Sequence, residues 1–186
     1  MNVFDLFDDA TRPKAAAIPG ATPEHRLIGK KLASIHAMHI SALDETRAVI
    51  LLIEKGEAHP EELMPQIEAN ELMRNYRRFG NLCGRECQFL EFHHTSEDWE
   101  IFPNIAAAGN ASLTKVIDRL AEEHLVIHQL LETLAANVLE MRENPGPVSF
   151  HQTRETFLVV YRAVISHFGY EQTELEEALG FFGAPL

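Results

Sequence analysis

Cysteine is nearly absent, with 2 in 186 residues, and basic side chains are scarce, with 16 Lys and Arg against 28 Asp and Glu. Two thiols cannot staple a disulfide scaffold or complete a four-cysteine zinc or iron–sulfur site. Cys83 and Cys87, four apart in a helical pattern, fit a disulfide poorly and read as small core residues. A formal net charge of −12 repels phosphate backbones and anionic lipid, so nucleic acid and membrane surfaces are not expected partners. No uncharged apolar run approaches the roughly 18 residues that span a bilayer. The opening MNVFDLFDDA places acids where a signal peptide needs bases, so a cytoplasmic location is expected. Nor is there any alternating Val/Ile/Thr-rich run bounded by hairpin turns, which leaves helices as the building material. What is present is a chain 46% apolar, of mean hydropathy −0.13, long enough for one well-filled domain, and unusually rich in imidazole, with 10 His.

Residues 1–21 hold Pro13, Pro19 and Gly20, show no sustained period, and read as an N-terminal arm; a helical domain follows over residues 22–182. Thr22-Pro23 reads as an N-cap with proline at the first helical position. Beyond it Leu32, His36, His39, Leu43, Thr46, Ile50 and Ile53 form one stripe reaching about Gly56. Pro60 and Pro65 mark an irregular connection over residues 59–71. Leu72, Tyr76, Phe79, Cys83, Leu90, His94 and Glu97 then line a second helix expected to stop at Pro103. After the break at Gly109, Ile117, Ala121, His124, His128, Leu131, Ala135 and Val138 repeat the four/three spacing. Pro145-Gly146-Pro147 ends that helix, and Ser149 with Gln152 reads as a capping box opening a fourth, striped by Phe157, Val160, Val164, His167 and Glu171. The expected fold is all-α, an up-down-up-down four-helix bundle with an N-terminal arm.

In such a bundle, residues at one level on neighbouring helices are equidistant from the turn between them. The midpoint of His36 and His93 falls beside Pro65, that of His93 and His124 beside Gly109, and that of His124 and His167 at Pro145-Gly146. All are breaks, so one histidine from each helix is expected in a single core layer. His93 and Glu97, His124 and His128, and His167 and Glu171 are each four apart, which puts each pair on one face. A lone core histidine is ordinarily hydrogen-bonded packing. Five imidazoles and two carboxylates buried together without a cation would carry a cost of several kcal/mol. A first-row metal such as iron removes it, and seven ligands suit two ions bridged by the carboxylates better than one.

The run Leu90-Glu91-Phe92-His93-His94-Thr95-Ser96-Glu97-Asp98-Trp99-Glu100-Ile101-Phe102-Pro103 resembles the hemerythrin HHE cation-binding pattern, an HxxxE followed by an acid and a Phe-Pro stop. Glu123-His124 with His128, and His167-Phe168-Gly169-Tyr170-Glu171, are similar to the third- and fourth-helix motifs of that family. The resemblance spans about residues 23–180 and implies a four-helix bundle around two non-haem iron ions. It implies His124, His128 and His167 on one iron, His36 and His93 on the other, and Glu97 and Glu171 bridging. Periodicity alone favours His94 over His93; the offset to Phe102-Pro103 favours His93. His39 and His94 are then expected just outside the ligand set, as candidates for proton transfer.

The implied function is binding of dioxygen, peroxide or nitric oxide for sensing, delivery or protection. A di-iron oxidase or peroxidase-type enzyme is the alternative, and an iron-responsive regulatory module a further one. Oxygen-carrying hemerythrins place Asp five residues after the fourth-helix histidine, where Gln172 stands here; with the added imidazoles this predicts that oxygen is not carried reversibly. Glu91-x-x-His94 alone does not make a ferritin-like site, which needs that element on two helices. Homo-oligomers and a protein partner stay open.

Overall fold

Thr22 and Pro23 start the first helix as the sequence suggests, and the Thr22 N–H donates to Nδ1 of His25 at 3.0 Å. The computed structural model describes residues 5–57 and 84–183, without the side chains of 84–89. In order these form α1 (Pro23–Gly29), α2 (Lys31–Glu54), α3 (Gly84–Ser96), a π-helical turn (Glu97–Ile101), α4 (Phe102–Ala106), α5 (Ala111–Glu143) and α6 (Pro147–Phe181). Among the described residues there is no strand, and no helix is long and apolar enough to cross a membrane. The connection expected over 59–71, and Leu72, Tyr76, Phe79 and Cys83, lie outside the described residues.

Three local expectations are corrected. The first long helix is interrupted at Lys30, so α1 and α2 are separate elements. Pro103 does not stop the second helix: it sits in the first turn of α4, where its missing N–H leaves no gap, and the path runs on to Ala106. Ser149 does not cap the fourth helix, which already begins at Pro147; its hydroxyl donates back to the Asn144 and Gly146 carbonyls at 2.7 and 3.1 Å. The true cap ahead of α5 is Asn110, whose Oδ1 accepts from the Ser112 and Leu113 N–H groups. Gly109 turns the chain there with φ +74°, a left-handed conformation that glycine adopts without strain.

The described chain forms two compact units. The first takes residues 5–38, 93–126 and 163–183, the second 39–57, 84–92 and 127–162. In the first unit, Leu32, Ile101, Phe102, Ile105, Leu113, Leu120, Leu175 and Leu179 are buried together, joined by Ile18 of the arm. In the second, Asn137 Nδ2 donates to Thr156 Oγ1 at 2.8 Å and Thr153 Oγ1 to the Asn137 carbonyl at 3.1 Å, tying α5 to α6.

Within the first unit α1 crosses α6 through paired glycines. A Cβ on Gly29 would lie 1.9 Å from the Glu176 carbonyl oxygen, and one on Gly180 would lie 1.9 Å from that of His25. Both obstacles are backbone, so Gly29→Ala or Gly180→Ala must push the helices apart and is expected to destabilise by about 1–3 kcal/mol. Gly169, with nothing within 4 Å of its Cβ position, should gain about 0.5–1 kcal/mol on becoming Ala. Thermal unfolding of the three variants checks the opposite signs.

Candidate metal centre

Five helical segments bring polar side chains of the first unit inward. His36 projects from α2, His93 and His94 from the end of α3, Glu97 from the start of the π-helical turn, His124 from α5, and His167 and Glu171 from α6. His36, His94, His124 and His167 are at most 1% exposed, as are Glu97 and Glu171. Their ligand atoms fall into two groups, each within 4.8 Å: His94, His124 and His167, and His36, His93, Glu97 and Glu171. The adjacent His93 and His94 therefore serve different groups. The π-helical turn that follows them accommodates an extra residue in the coil, a feature that recurs where a helix aims side chains at a site.

The imidazole nitrogens converge in pairs. Nε2 of His36 lies 3.0 Å from Nε2 of His93, and Nε2 of His124 lies 3.1 Å from Nε2 of His167. On their outer sides the rings are held by carboxylates: Nδ1 of His124 by Asp98 at 2.9 Å, and Nδ1 of His167 by Glu123 at 3.0 Å. An N–H on each Nδ1 donates to its acid, which leaves the Nε2 of each ring facing inward. Burial holds His167 below the usual imidazole range, and the neighbouring His124 acts the same way against the pull of Glu123 and Glu171. The neutral ring is the form that ligates metal. Nδ1 of His36 meets the Gln172 amide at 2.8 Å.

The two carboxylates stand between the groups. Glu97 Oε1 is 3.1 Å from His93 Nε2 and its Oε2 is 3.5 Å from His124 Nε2. Glu171 Oε2 is 3.2 Å from His36 Nε2 and 3.9 Å from His167 Nε2. These approaches are close without hydrogen-bond geometry: both oxygens of Glu97 and Oε2 of Glu171 are buried and accept no hydrogen bond. Burial, and then the nearby Glu171, push Glu97 well above the usual carboxylate range. Burial also opposes the charge on Glu171, but His36, His167 and His93 outweigh it and hold that carboxyl down at about 2. Facing lone pairs at 3.1 Å and buried carboxylate oxygens without donors are a donor set in want of a cation, so these residues fit a bound metal.

The hemerythrin HHE cation binding domain matches residues 35–179. The chain belongs to that family. No match is found among curated proteins or solved structures. The HHE assignment implies cation binding, which these His and Glu groups could provide, and agrees with the all-α architecture.

Of the residues read from sequence, His36, His93, Glu97, His124, His167 and Glu171 are brought together. His94, expected outside the ligand set, lies in the group of His124 and His167. His128, expected beside them, is in neither group: the buried face of α5 runs through Val116, Leu120, Glu123, His124 and Ile127, and position 128 turns to its edge, half-exposed in the second unit. His39 is buried in the second unit as well. The sequence reading gave no role to Asp98, Glu123, Gln172 or Arg12. Asp98 and Glu123 carried a signal, each being an acid beside a motif residue; Arg12, lying in the arm, carried none.

Proposed function

We propose that this HHE protein is a di-iron protein that binds a small ligand such as dioxygen, peroxide or nitric oxide. In this reading His94, His124 and His167 hold one ion, His36 and His93 the other, and Glu97 and Glu171 bridge them. One observation carries it: each of the two carboxylates faces an imidazole of both groups, at 3.1 and 3.5 Å for Glu97 and 3.2 and 3.9 Å for Glu171. Bound iron supplies one-electron redox chemistry and a Lewis-acid seat for the ligand. Asp98 and Glu123 orient His124 and His167 and raise their basicity toward the cation. The side with two histidines is the less crowded, and supports ligand entry there.

His94 also weighs between binding and turnover. An oxidase or peroxidase reading needs an imidazole beside the ligand that is free to pass a proton. With His94 in the histidine group, that role loses one of its two candidates, which favours sensing, delivery or protection.

Anaerobic reconstitution with ferrous iron is expected to give about two ions per chain. His94→Ala should lose one, whereas His128→Ala should keep both. Wild-type protein that retains a single ion would remove the dinuclear reading, and loss on His128→Ala with retention on His94→Ala would restore His128 as a ligand. Air admitted to the ferrous protein should change its optical spectrum in a way that degassing does not reverse; full reversal over hours would make it a carrier.

A further inference from the structure

The N-terminal arm drives an arginine into the layer around the metal centre. Arg12 is 4% exposed, and its Nε and Nη2 donate to the two oxygens of Glu123 at 2.9 Å each. Its Nη1 donates to Asp9, to the Ser166 carbonyl and to Ser166 Oγ. The guanidinium carbon also sits 4.5 Å from the centre of the Tyr170 ring. Glu123 Oε2 accepts at the same time from Nδ1 of His167, whose Nε2 points at His124. Arm, Arg12, Glu123 and His167 thus form one chain of charge-assisted bonds ending at a ligand atom. Removing the guanidinium leaves a fully buried carboxylate with the His167 N–H as its remaining partner, and such a group turns or admits water.

The rest of the arm lies along α6 as a strip. The Tyr170 hydroxyl donates to the Pro13 carbonyl at 2.8 Å, the Ala15 N–H donates to Glu174 at 2.6 Å, and the Ile18 N–H to Glu177 at 2.7 Å. Ser166, Tyr170, Glu174 and Glu177 recur along one face of α6 and meet the arm in the same order as its sequence. These are polar, edge-on ties, except at buried Phe7 and Ile18. Arg12 is where docking reaches the centre.

We propose that the arm is a latch on the metal centre, with Arg12 as its positioning residue: cation binding strengthens docking of the arm, and docking strengthens cation binding. The proposal rests on the metal-binding reading above. His167, held by a cation at its Nε2, would in turn hold Glu123 in place for the bidentate bond to Arg12. By linkage the effect is reciprocal.

The test uses the full chain with ferrous iron as the probe. Trypsin can cut Lys14–Ala15 only when the arm lifts, because the Ala15 N–H is held by Glu174 while the Lys14 side chain is 58% exposed. Cleavage there, measured relative to cleavage after Lys55, should be about tenfold slower in the iron-loaded protein than in the chelated one. Arg12→Gln should abolish that difference and weaken retention of at least one ion about tenfold or more, with helical content unchanged. Arg12→Lys should recover part of both effects. Lys14→Gln, which removes only an exposed arm contact that does not reach Glu123, should weaken iron retention far less than Arg12→Gln does. Equal cleavage of loaded and chelated wild-type protein, with two ions bound, would overturn the latch and leave the metal reading standing. Wild-type affinity in Arg12→Gln would do the same. Should that variant not fold, the wild-type comparison alone decides. Failure of the wild type to bind any ion would remove the metal reading, and the latch with it.

Discussion

Chelating the metal from the reconstituted protein is expected to lower its melting temperature by roughly 5–15 °C. A ligand present at 100 to 1,000 times its dissociation constant stabilises the folded state by about 3–4 kcal/mol, and each kcal/mol moves the midpoint of a chain this size by about 2–4 °C. The physical source lies in the paired nitrogens. Without a cation, Nε2 of His124 and Nε2 of His167 face one another at 3.1 Å, and both Glu97 oxygens are buried without a donor. The loss should depend on pH with a definite sign. His167 is held below its ordinary value, so on acidification the unfolded chain takes up that proton first. Its contribution in the chelated protein is therefore whole above about pH 6.5 and declines as the pH falls below it. Thermal melts followed by circular dichroism, with and without chelator between pH 5 and 8, check both statements; equal midpoints for loaded and chelated protein would contradict them. The apolar layer of Leu113, Val116, Leu120, Leu175 and Leu179 is independent of the metal, so helical signal should survive chelation at room temperature.

The bundle-forming pattern was legible because helices advertise their buried face by period. On α6 the whole stripe of Phe157, Val160, Val164, His167 and Glu171 is buried, and on α2 Leu32, His36, His39, Ile50 and Ile53 are. On α5 the stripe read from sequence was displaced by one position. The run Leu120, Ile127 and Leu134 is buried, whereas Ala121, His128, Ala135 and Val138 of the stripe read from sequence are half-buried, and periodicity gives two overlapping faces no ranking. On α3 the difficulty was the opposite. Periodicity makes the adjacent His93 and His94 rivals for one place, whereas each falls in a different group of close ligand atoms, and the π-helical turn at Glu97 shifts the face beyond what a 3.6-residue period describes. The arm shows no period in the sequence because its ties to α6 are backbone groups, Arg12 and Lys14, which leave none.

Replacing Glu97 by Gln should change stability in opposite directions according to whether the metal is present. In the loaded protein it removes a carboxylate of the proposed metal site, and at least one ion should be lost or greatly weakened. In the chelated protein the same change should stabilise. Burial and the neighbouring Glu171 raise Glu97, so as pH climbs past about 4.3 the unfolded chain gives up this proton while the folded one retains it. Stability linked to Glu97 is therefore whole below that pH and declines as pH rises toward the raised folded value. Glutamine has no proton to lose. At pH 7 the chelated variant should exceed the chelated wild type by about 1–3 kcal/mol, the scale of relieving a buried group without a hydrogen bond, and the gain should vanish near pH 4. Glu171 supplies the contrast, because His36, His167 and His93 hold it down at about 2 and its charge supports the fold above pH 4. Glu171→Gln should accordingly destabilise the chelated protein at pH 7 as well as release metal. Denaturant unfolding of the two variants in both states separates a carboxylate retained for the cation alone from one that also holds its histidines. A chelated Glu97→Gln protein less stable than wild type at neutral pH would show that Glu97 supports the fold without the metal, and would sink this assignment.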